Sequence, residues 1–349
     1  MLIGICGGLC AGKASVAQYL VERHKFTPLA ISRPASTPSV EKSASDHSVM
    51  TDRSASSATK VFSDAEGLLD YVTQNWTEHF VTTCLWSQHV LNVLLRRPFF
   101  VLISVDAPIS VRWARFKARC VLHGEAPPSL EQFVLRDDSH MYDGQYGLAG
   151  LPSQARVKLI NSTSSLQDLF QQLDGLRLTD EDRIRPSWDQ YFMTLASLAA
   201  RRSNCMRRQV GCVLVRGKRV ISTGYNGTPR NITNCNQGGC PRCNGASTGG
   251  TALSTCRCVH AEENALLEAG RERVGEDATI YCNTCPCLTC SIKIVQVGIR
   301  EVVYSRSYYM DAEIATLFKE AGVRLRQFLP PAEGLISLND STETRNGHV

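Results

Sequence analysis

Two short segments, well separated in the chain, carry residue types that bind metal. One is His260-Ala-Glu262, at the start of a helical pattern; the other is Cys285-Pro-Cys287-Leu-Thr-Cys290, which opens a second helix. Pro286 suits the first turn of a helix, and two cysteines three positions apart share one side of that turn. Cys287 and Cys290 can therefore reach a single ion. The positive end of the helix and the ion itself both favour thiolate over thiol. One imidazole and two thiolates make three ligands and leave the fourth tetrahedral position open, which is the layout of a catalytic zinc rather than a closed structural one. Glu262 lies two residues beyond His260, near enough to serve the open position without being a ligand. A purely structural zinc knot, with Glu262 an ordinary first-turn acid, gives no reason for that open position.

A His-x-Glu segment followed by Pro-Cys-x-x-Cys is the signature of zinc-dependent nucleobase deaminases. Zinc in such a site brings the pKa of its water down to about 7. The resulting hydroxide is expected to attack C4 of a cytosine ring while Glu262 moves protons to N3 and to the departing amine. Three longer stretches sharpen the resemblance: His260-Ala-Glu-Glu-Asn-Ala-Leu-Leu-Glu-Ala-Gly270, Thr284-Cys-Pro-Cys-Leu-Thr-Cys290 and Gly224-Tyr-Asn-Gly-Thr-Pro229. From about Trp188 to Phe328 the chain closely resembles the deoxycytidylate (dCMP) deaminases in their fungal form. That resemblance implies a cytidine-deaminase-like α/β/α three-layer fold around a mixed five-stranded sheet. It implies conversion of dCMP to dUMP and ammonia, supplying thymidylate synthesis, by a homo-oligomer, commonly a hexamer, under dCTP and dTTP control. By the same resemblance Asn226 bonds the sugar with Thr228 nearby, Arg271 meets the 5′-phosphate, and Tyr308 or Tyr309 stacks on the base. Asn226 beside Gly227 also reads as a simple turn residue, and Arg271 as a solvated charge at a helix end.

Of the 15 cysteines, 11 fall between Cys205 and Cys290. In a chain of this size without an export signal, thiolate metal ligands explain that density better than disulfides. Some phage relatives hold a second, structural zinc at matching positions, so a second closed zinc is expected here. Its ligands are drawn from Cys205, Cys235, Cys256 and Cys258, with the Cys240-Pro-Arg-Cys243 pair nearby, and the choice of four is open. The scattered Cys6, Cys10, Cys84 and Cys120 read as packed, unreactive thiols.

These residues must be positioned by a helix at Trp188–Arg201, strands at Val210–Val215 and Val220–Tyr225, and a Gly-, Asn- and Cys-rich loop over 226–255. Helices from His260 and Cys287 follow, alternating with strands at Thr279–Cys282 and Glu301–Ser305, and a last helix and strand end at Phe328. We place this deaminase domain at residues 186–329, with a flexible tail over 330–349. Ahead of it, residues 1–177 alternate strands and helices as an open parallel α/β sheet does. The Ser-, Ala- and Pro-rich stretch from 32 to 60 has too few large apolar residues to order itself. Gly7-Gly-Leu-Cys-Ala-Gly12-Lys13, between a strand and a helix, resembles a phosphate-binding P-loop. Ala14 stands where Ser or Thr would hold magnesium, and no acidic magnesium site is evident. Arg112, Arg115 and Arg119 resemble the basic lid of small kinases. A degenerate P-loop nucleotide-kinase-like domain is therefore expected.

The net charge of +5 over 349 residues argues against a nucleic-acid-coating surface, and no basic stripe suits a polynucleotide. Apolar runs such as Phe99–Val105 are too short to span a bilayer. Met1–Cys6 is no secretory leader, which points to the cytoplasm or the nucleus. Two other classes compete with the free-nucleotide reading. A nucleic-acid deaminase would need that basic channel, and a non-catalytic zinc interaction module would have no use for Glu262.

Overall fold

The computed structural model describes residues 1–32, 59–143, 147–245, 256–307 and 311–339. Their Cα packing divides the chain into two compact units, one from Met1–Ile184 with Pro331–Val349 and one from Arg185–Pro330. The expected insertion between Ser32 and Lys60 lies, apart from its ends, outside the described residues, as does Tyr308.

The first unit opens with strand β1 (Leu2–Cys6), helix α1 (Lys13–His24), β2 (Thr27–Ile31) and β3 (Lys60–Phe62). Then come α2 (Ala65–Gln74), β4 (Phe80–Thr82), α3 (Gln88–Leu94), β5 (Phe100–Asp106), α4 (Ile109–Leu122), α5 (Leu130–Tyr142), α6 (Leu151–Gln154), β6 (Val157–Asn161) and α7 (Leu166–Leu176). All strand pairs in its sheet are parallel. Buried-both-sides runs such as Leu2–Cys6 are what a parallel sheet covered by helices requires. One face packs Ile3, Ile5, Val16 and Leu20 with Val101 and Leu159; the other packs Leu2, Leu68, Val72, Leu91 and Leu102. Of the scattered thiols, Cys6 and Cys120 are buried while Cys10 and Cys84 are half-buried.

The expectation of a flexible tail over 330–349 is corrected for part of its length. Gly334–Leu338 forms the last strand, which pairs in parallel with β6 along Gly334–Val157 to Leu338–Asn161. Leu338 is buried in the core there, and the short apolar run Gly-Leu-Ile-Ser-Leu is enough for an edge strand; residues 340–349 lie outside the described residues.

The second unit begins with α8 (Trp188–Ala200), capped by Ser187, whose side chain accepts from the Gln190 N–H. Strands β7 (Gly211–Arg216) and β8 (Arg219–Tyr225) follow, then the short α9 (Pro241–Asn244), α10 (Ala261–Val274) and β9 (Thr279–Thr284). It closes with α11 (Leu288–Val297), β10 (Glu301–Arg306), α12 (Asp311–Glu320) and β11 (Arg324–Gln327), and the strand at Gly334–Leu338 is therefore β12. The sheet runs β11-β10-β9-β7-β8. β8, β7 and β9 pair antiparallel, whereas β9, β10 and β11 pair parallel, so the five-stranded sheet is mixed.

Alternation along β7 sorts its side chains between two cores. Cys212 and Leu214 join Ala261, Ala265 and Ile294 under α10 and α11; Val213 and Val215 join Phe192 and Ala196 under α8. Two glycines let the helices close on the strands. A Cβ at Gly224 would lie 2.1 Å from the Ala261 carbonyl oxygen, and one at Gly211 2.0 Å from that of Ala196. Among the described residues no helix is long and apolar enough to cross a membrane.

Candidate metal and catalytic site

The N-termini of α10 and α11 converge on one point. His260 caps α10 with φ −76° and ψ 158°, and Cys287 caps α11 with φ −76° and ψ 166°. Neither side chain caps its own helix, so both are directed elsewhere. His260 Nδ1 lies 3.3 Å from Cys287 Sγ and 3.4 Å from Cys290 Sγ. A tetrahedral zinc with ordinary Zn–N and Zn–S bonds separates such atoms by about 3.5 Å. The three residues therefore fit a zinc ion as they stand, and they form one of three potential metal-binding groups among the described residues.

Electrostatics favours the thiolate at Cys287, while Cys290 beside it is pushed up by its bond to Cys287 and by burial. A hydrogen bond from Cys290, outweighing burial, and a further one with His260 bring the Cys287 thiol down to about 4. His260 is pushed above its ordinary value chiefly by its bond to Cys287. Glu262 is 4 % exposed, and burial pushes its carboxyl up to about 7. It sits in the first turn of α10, held against the sheet by the Gly224 contact one residue away.

A cavity of about 250 Å³ opens beside the triad, lined by His260, Glu262, Cys287, Asn226 and Thr284 together with Arg207, Arg208 and Arg242. Asn226 is in the wall, but its amide is already committed. Its Oδ1 accepts from Ser203 Oγ at 2.7 Å and from the Val210 N–H at 2.8 Å, and its Nδ2 donates to the Arg208 carbonyl at 2.8 Å. It is not a left-handed turn residue, since it is absent from the positive-φ positions among the described residues. Its visible work is to fasten the segment from Ser203 to Val210 beside the zinc ligands.

Two expected contacts are not brought to this cavity. Arg271 follows Gly270, whose φ of 67° and ψ of 153° break α10. It is exposed, roughly three helical turns from His260 at 1.5 Å per residue, and the cavity wall does not include it. Thr228 is also absent from the wall; its backbone N–H donates to Asn204 Oδ1 at 3.4 Å. Of the three arginines that do line the cavity, Arg242 lies in α9, and Arg207 and Arg208 precede β7. Their closeness to the site depends on the Asn226 bonds, which no periodicity encodes; the only sequence signal was their position just after Cys205.

The second cysteine set differs from the expected one. Cys205, Cys235, Cys256 and Cys258 are not gathered as one tetrad. Cys243 instead joins Cys205, Cys235 and Cys258 in one group, and Cys240, Cys256 and Cys258 in another. The reason is local: Pro241 starts a single helical turn that carries Cys243 inward, where it is buried.

In the first unit Lys13 Nζ donates to the Gly7 and Gly8 carbonyls at 2.9 and 2.8 Å. Of the arginines read as a basic lid, Arg112 and Arg115 bond to groups of the first unit. Arg112 Nη1 pairs with Asp137 Oδ2 at 2.6 Å, almost out of water. Arg115 donates to the carbonyls of Ala11, Asn161 and Thr163.

Residues 186–306 match the family model described as the cytidine and deoxycytidylate deaminase zinc-binding region. Over 335 residues the chain is 49% identical to the deoxycytidylate deaminase of Schizosaccharomyces pombe, covering 95% of this chain and 99% of that one. It is 50% identical over 272 residues to the deoxycytidylate deaminase of Saccharomyces cerevisiae, covering 75% and 85%. The deoxycytidylate deaminase of Mycobacterium phage D29 is 43% identical over 127 residues, which is 35% of this chain and 97% of that protein. A stretch the size of the second unit thus makes up nearly the whole of that phage protein.

Proposed function

The chain belongs to the deoxycytidylate deaminase family, and from that premise we propose that Glu262 is the proton carrier of the reaction, beside a zinc held by His260, Cys287 and Cys290. The reaction is the zinc-dependent hydrolysis of dCMP to dUMP and ammonia: water adds at C4 of the ring, and the C4–amine bond breaks. When bound, the zinc supplies a Lewis acid that makes water acidic enough to react at neutral pH.

Glu262 does the proton work. A carboxyl that burial brings up to about 7 both takes and returns a proton near neutrality, which is the condition for efficient acid–base catalysis. It accepts a proton from the attacking water and passes it to ring N3, then takes the proton of the new C4 hydroxyl and passes it to the amine, so that C4=O forms as the C4–N bond breaks. The Glu262 residue is only 4 % exposed, so little bulk water reaches its carboxyl. Arg207 and Arg208, in the wall of the same cavity, are suited to a 5′-phosphate, and the bond from Asn226 to the Arg208 carbonyl fastens that segment. The observation that carries this reading is the joining of an incomplete three-ligand set to a buried carboxyl at one cavity.

The family resemblance further suggests a hexamer controlled by dCTP and dTTP. The first unit is read as a degenerate nucleotide-kinase-like domain, which its parallel sheet and its loop ahead of α1 support. The test of substrate class is ammonia release from purified full chain given dCMP, deoxycytidine or cytosine-containing single-stranded DNA. Turnover of dCMP well above the other two is expected. Preference for the polynucleotide would overturn the free-nucleotide assignment.

A further inference from the structure

Beside the catalytic triad lies a small core built only of sulfur side chains. Cys235, Cys240, Cys243 and Cys258 are buried, with Cys205 and Cys256 packed against them. None is in a disulfide. Six thiols bury too little apolar area to hold an irregular loop by the hydrophobic effect, so packing alone is a poor account of the cluster.

The distances are informative. Sγ atoms lie 3.8 Å apart for Cys205–Cys243, 3.9 Å for Cys240–Cys256, 3.8 Å for Cys243–Cys256 and 3.9 Å for Cys243–Cys258. A disulfide would need about 2 Å. The edge of a zinc–thiolate tetrahedron, with Zn–S near 2.3 Å, is about 3.8 Å. The six sulfurs form two overlapping tetrads, Cys205-Cys235-Cys243-Cys258 and Cys240-Cys243-Cys256-Cys258. Cys243 and Cys258 belong to both.

A single ion would use four sulfurs and leave two soft ligands idle against the shared pair. We propose instead that this cluster holds two zinc ions bridged by the thiolates of Cys243 and Cys258. Cys205 and Cys235 complete one tetrahedron, and Cys240 and Cys256 complete the other. Six thiolates, two of them shared, satisfy two four-coordinate ions and leave the unit with two negative charges. Backbone N–H groups are arranged for that charge: Met206 donates to Cys235 Sγ at 3.5 Å and Arg257 to Cys240 Sγ at 3.4 Å. Donors of this kind orient and stabilise thiolate ligands. An all-sulfur tetrahedral set selects zinc or an iron–sulfur centre, and the tetrads, holding no room for inorganic sulfide between sulfurs at tetrahedral-edge spacing, favour zinc.

The cluster would also shape the substrate cavity. Cys205, Cys243, Cys256 and Cys258 line it, Cys258 is two residues from His260, and Arg207 follows Cys205 by two. The proposal does not depend on the deaminase chemistry, because its readout is a metal count.

The test is zinc content of the purified full chain by mass spectrometry, with zinc-edge X-ray absorption. Three zinc per chain and a zinc–zinc vector at about 3–4 Å are expected. Cys205→Ser and Cys240→Ser should each lower the count from three to two, since each removes a terminal ligand of a different ion. Two zinc per chain in the unaltered protein, with no zinc–zinc vector, would overturn the proposal in favour of one closed site. Visible absorption from an iron–sulfur centre would also overturn it. If either variant fails to fold, the count and the vector in the unaltered protein decide.

Discussion

Gly224→Ala is a sharp probe of how the fold sets the site, because the substituted atom lies far from any reacting group in sequence. The added Cβ would meet the Ala261 carbonyl oxygen at 2.1 Å and the Ala265 nitrogen at 2.5 Å, where real Cβ contacts keep at least 3.0 Å. Both clashes are with helix backbone, so no side-chain rotation relieves them. The start of α10 must retreat from β8 by roughly 1 Å, and overpacking of this sort destabilises by about 1–3 kcal/mol. Ala261 sits between His260 and Glu262, so the retreat moves the proposed zinc ligand and the proposed proton carrier together. A displacement of about 1 Å lowers catalysis by about 100-fold. We expect kcat/KM for dCMP to fall by that order and the urea midpoint to drop. Gly175→Ala serves as the control: nothing lies within 4 Å of its Cβ, and alanine favours a helix over glycine by up to about 1 kcal/mol. A Gly224→Ala protein with unaltered kcat/KM and unaltered stability would refute the claim that this contact fixes the catalytic helix.

Two further outcomes follow from the second unit. Arg208→Ala should raise KM for dCMP by about 10- to 100-fold, the loss of one charge-assisted hydrogen bond of about 1.5–3 kcal/mol, with kcat changed much less; a fall in kcat at constant KM would contradict its place at the phosphate. Burial opposes ionisation of Asp189, but bonds from Arg326 and Tyr281 outweigh it and hold the carboxyl below its usual range. Arg326 pairs with both carboxylate oxygens, at 2.6 and 3.0 Å. A depressed acid stabilises the fold above its unfolded pKa of about 3.9 and loses that contribution as pH falls through the lower folded value. Because the pair is partly exposed, Asp189→Asn should cost only about 1 kcal/mol at pH 7. The gap in denaturation midpoint between variant and parent should close under strongly acidic conditions, and a gap independent of pH would exclude the ion pair as its cause.

The convergence of His260, Cys287 and Cys290 was legible in sequence because each stands at a helix start, and Pro286 and the three-residue cysteine spacing fix that geometry locally. β7, β8, β9 and β10 were legible as strands, whereas the mixed five-stranded sheet was expected from the family resemblance, because local pattern does not encode strand order. What escaped was non-local. The place of Arg207 and Arg208 in the cavity wall goes with Asn226 reaching back from the end of β8 to Ser203, Arg208 and Val210. The family resemblance offered Arg271 for the phosphate, but it follows the break at Gly270, about three turns from His260, and is not in the cavity wall. Cys243 joined the sulfur cluster through a single turn too short for any periodic signal. β12 was read as tail because its five residues gain order only by pairing with β6, far back in the chain.

The central claim is that Glu262 moves the protons of a hydrolysis that His260, Cys287 and Cys290 make possible by holding zinc. Glu262→Gln keeps the shape and hydrogen-bonding capacity of the side chain but removes its ability to cycle a proton. With dCMP as substrate and zinc content measured on the same sample, zinc should stay at the level of the unaltered protein while turnover falls by about 100-fold or more. Full turnover at unaltered zinc content would contradict the account.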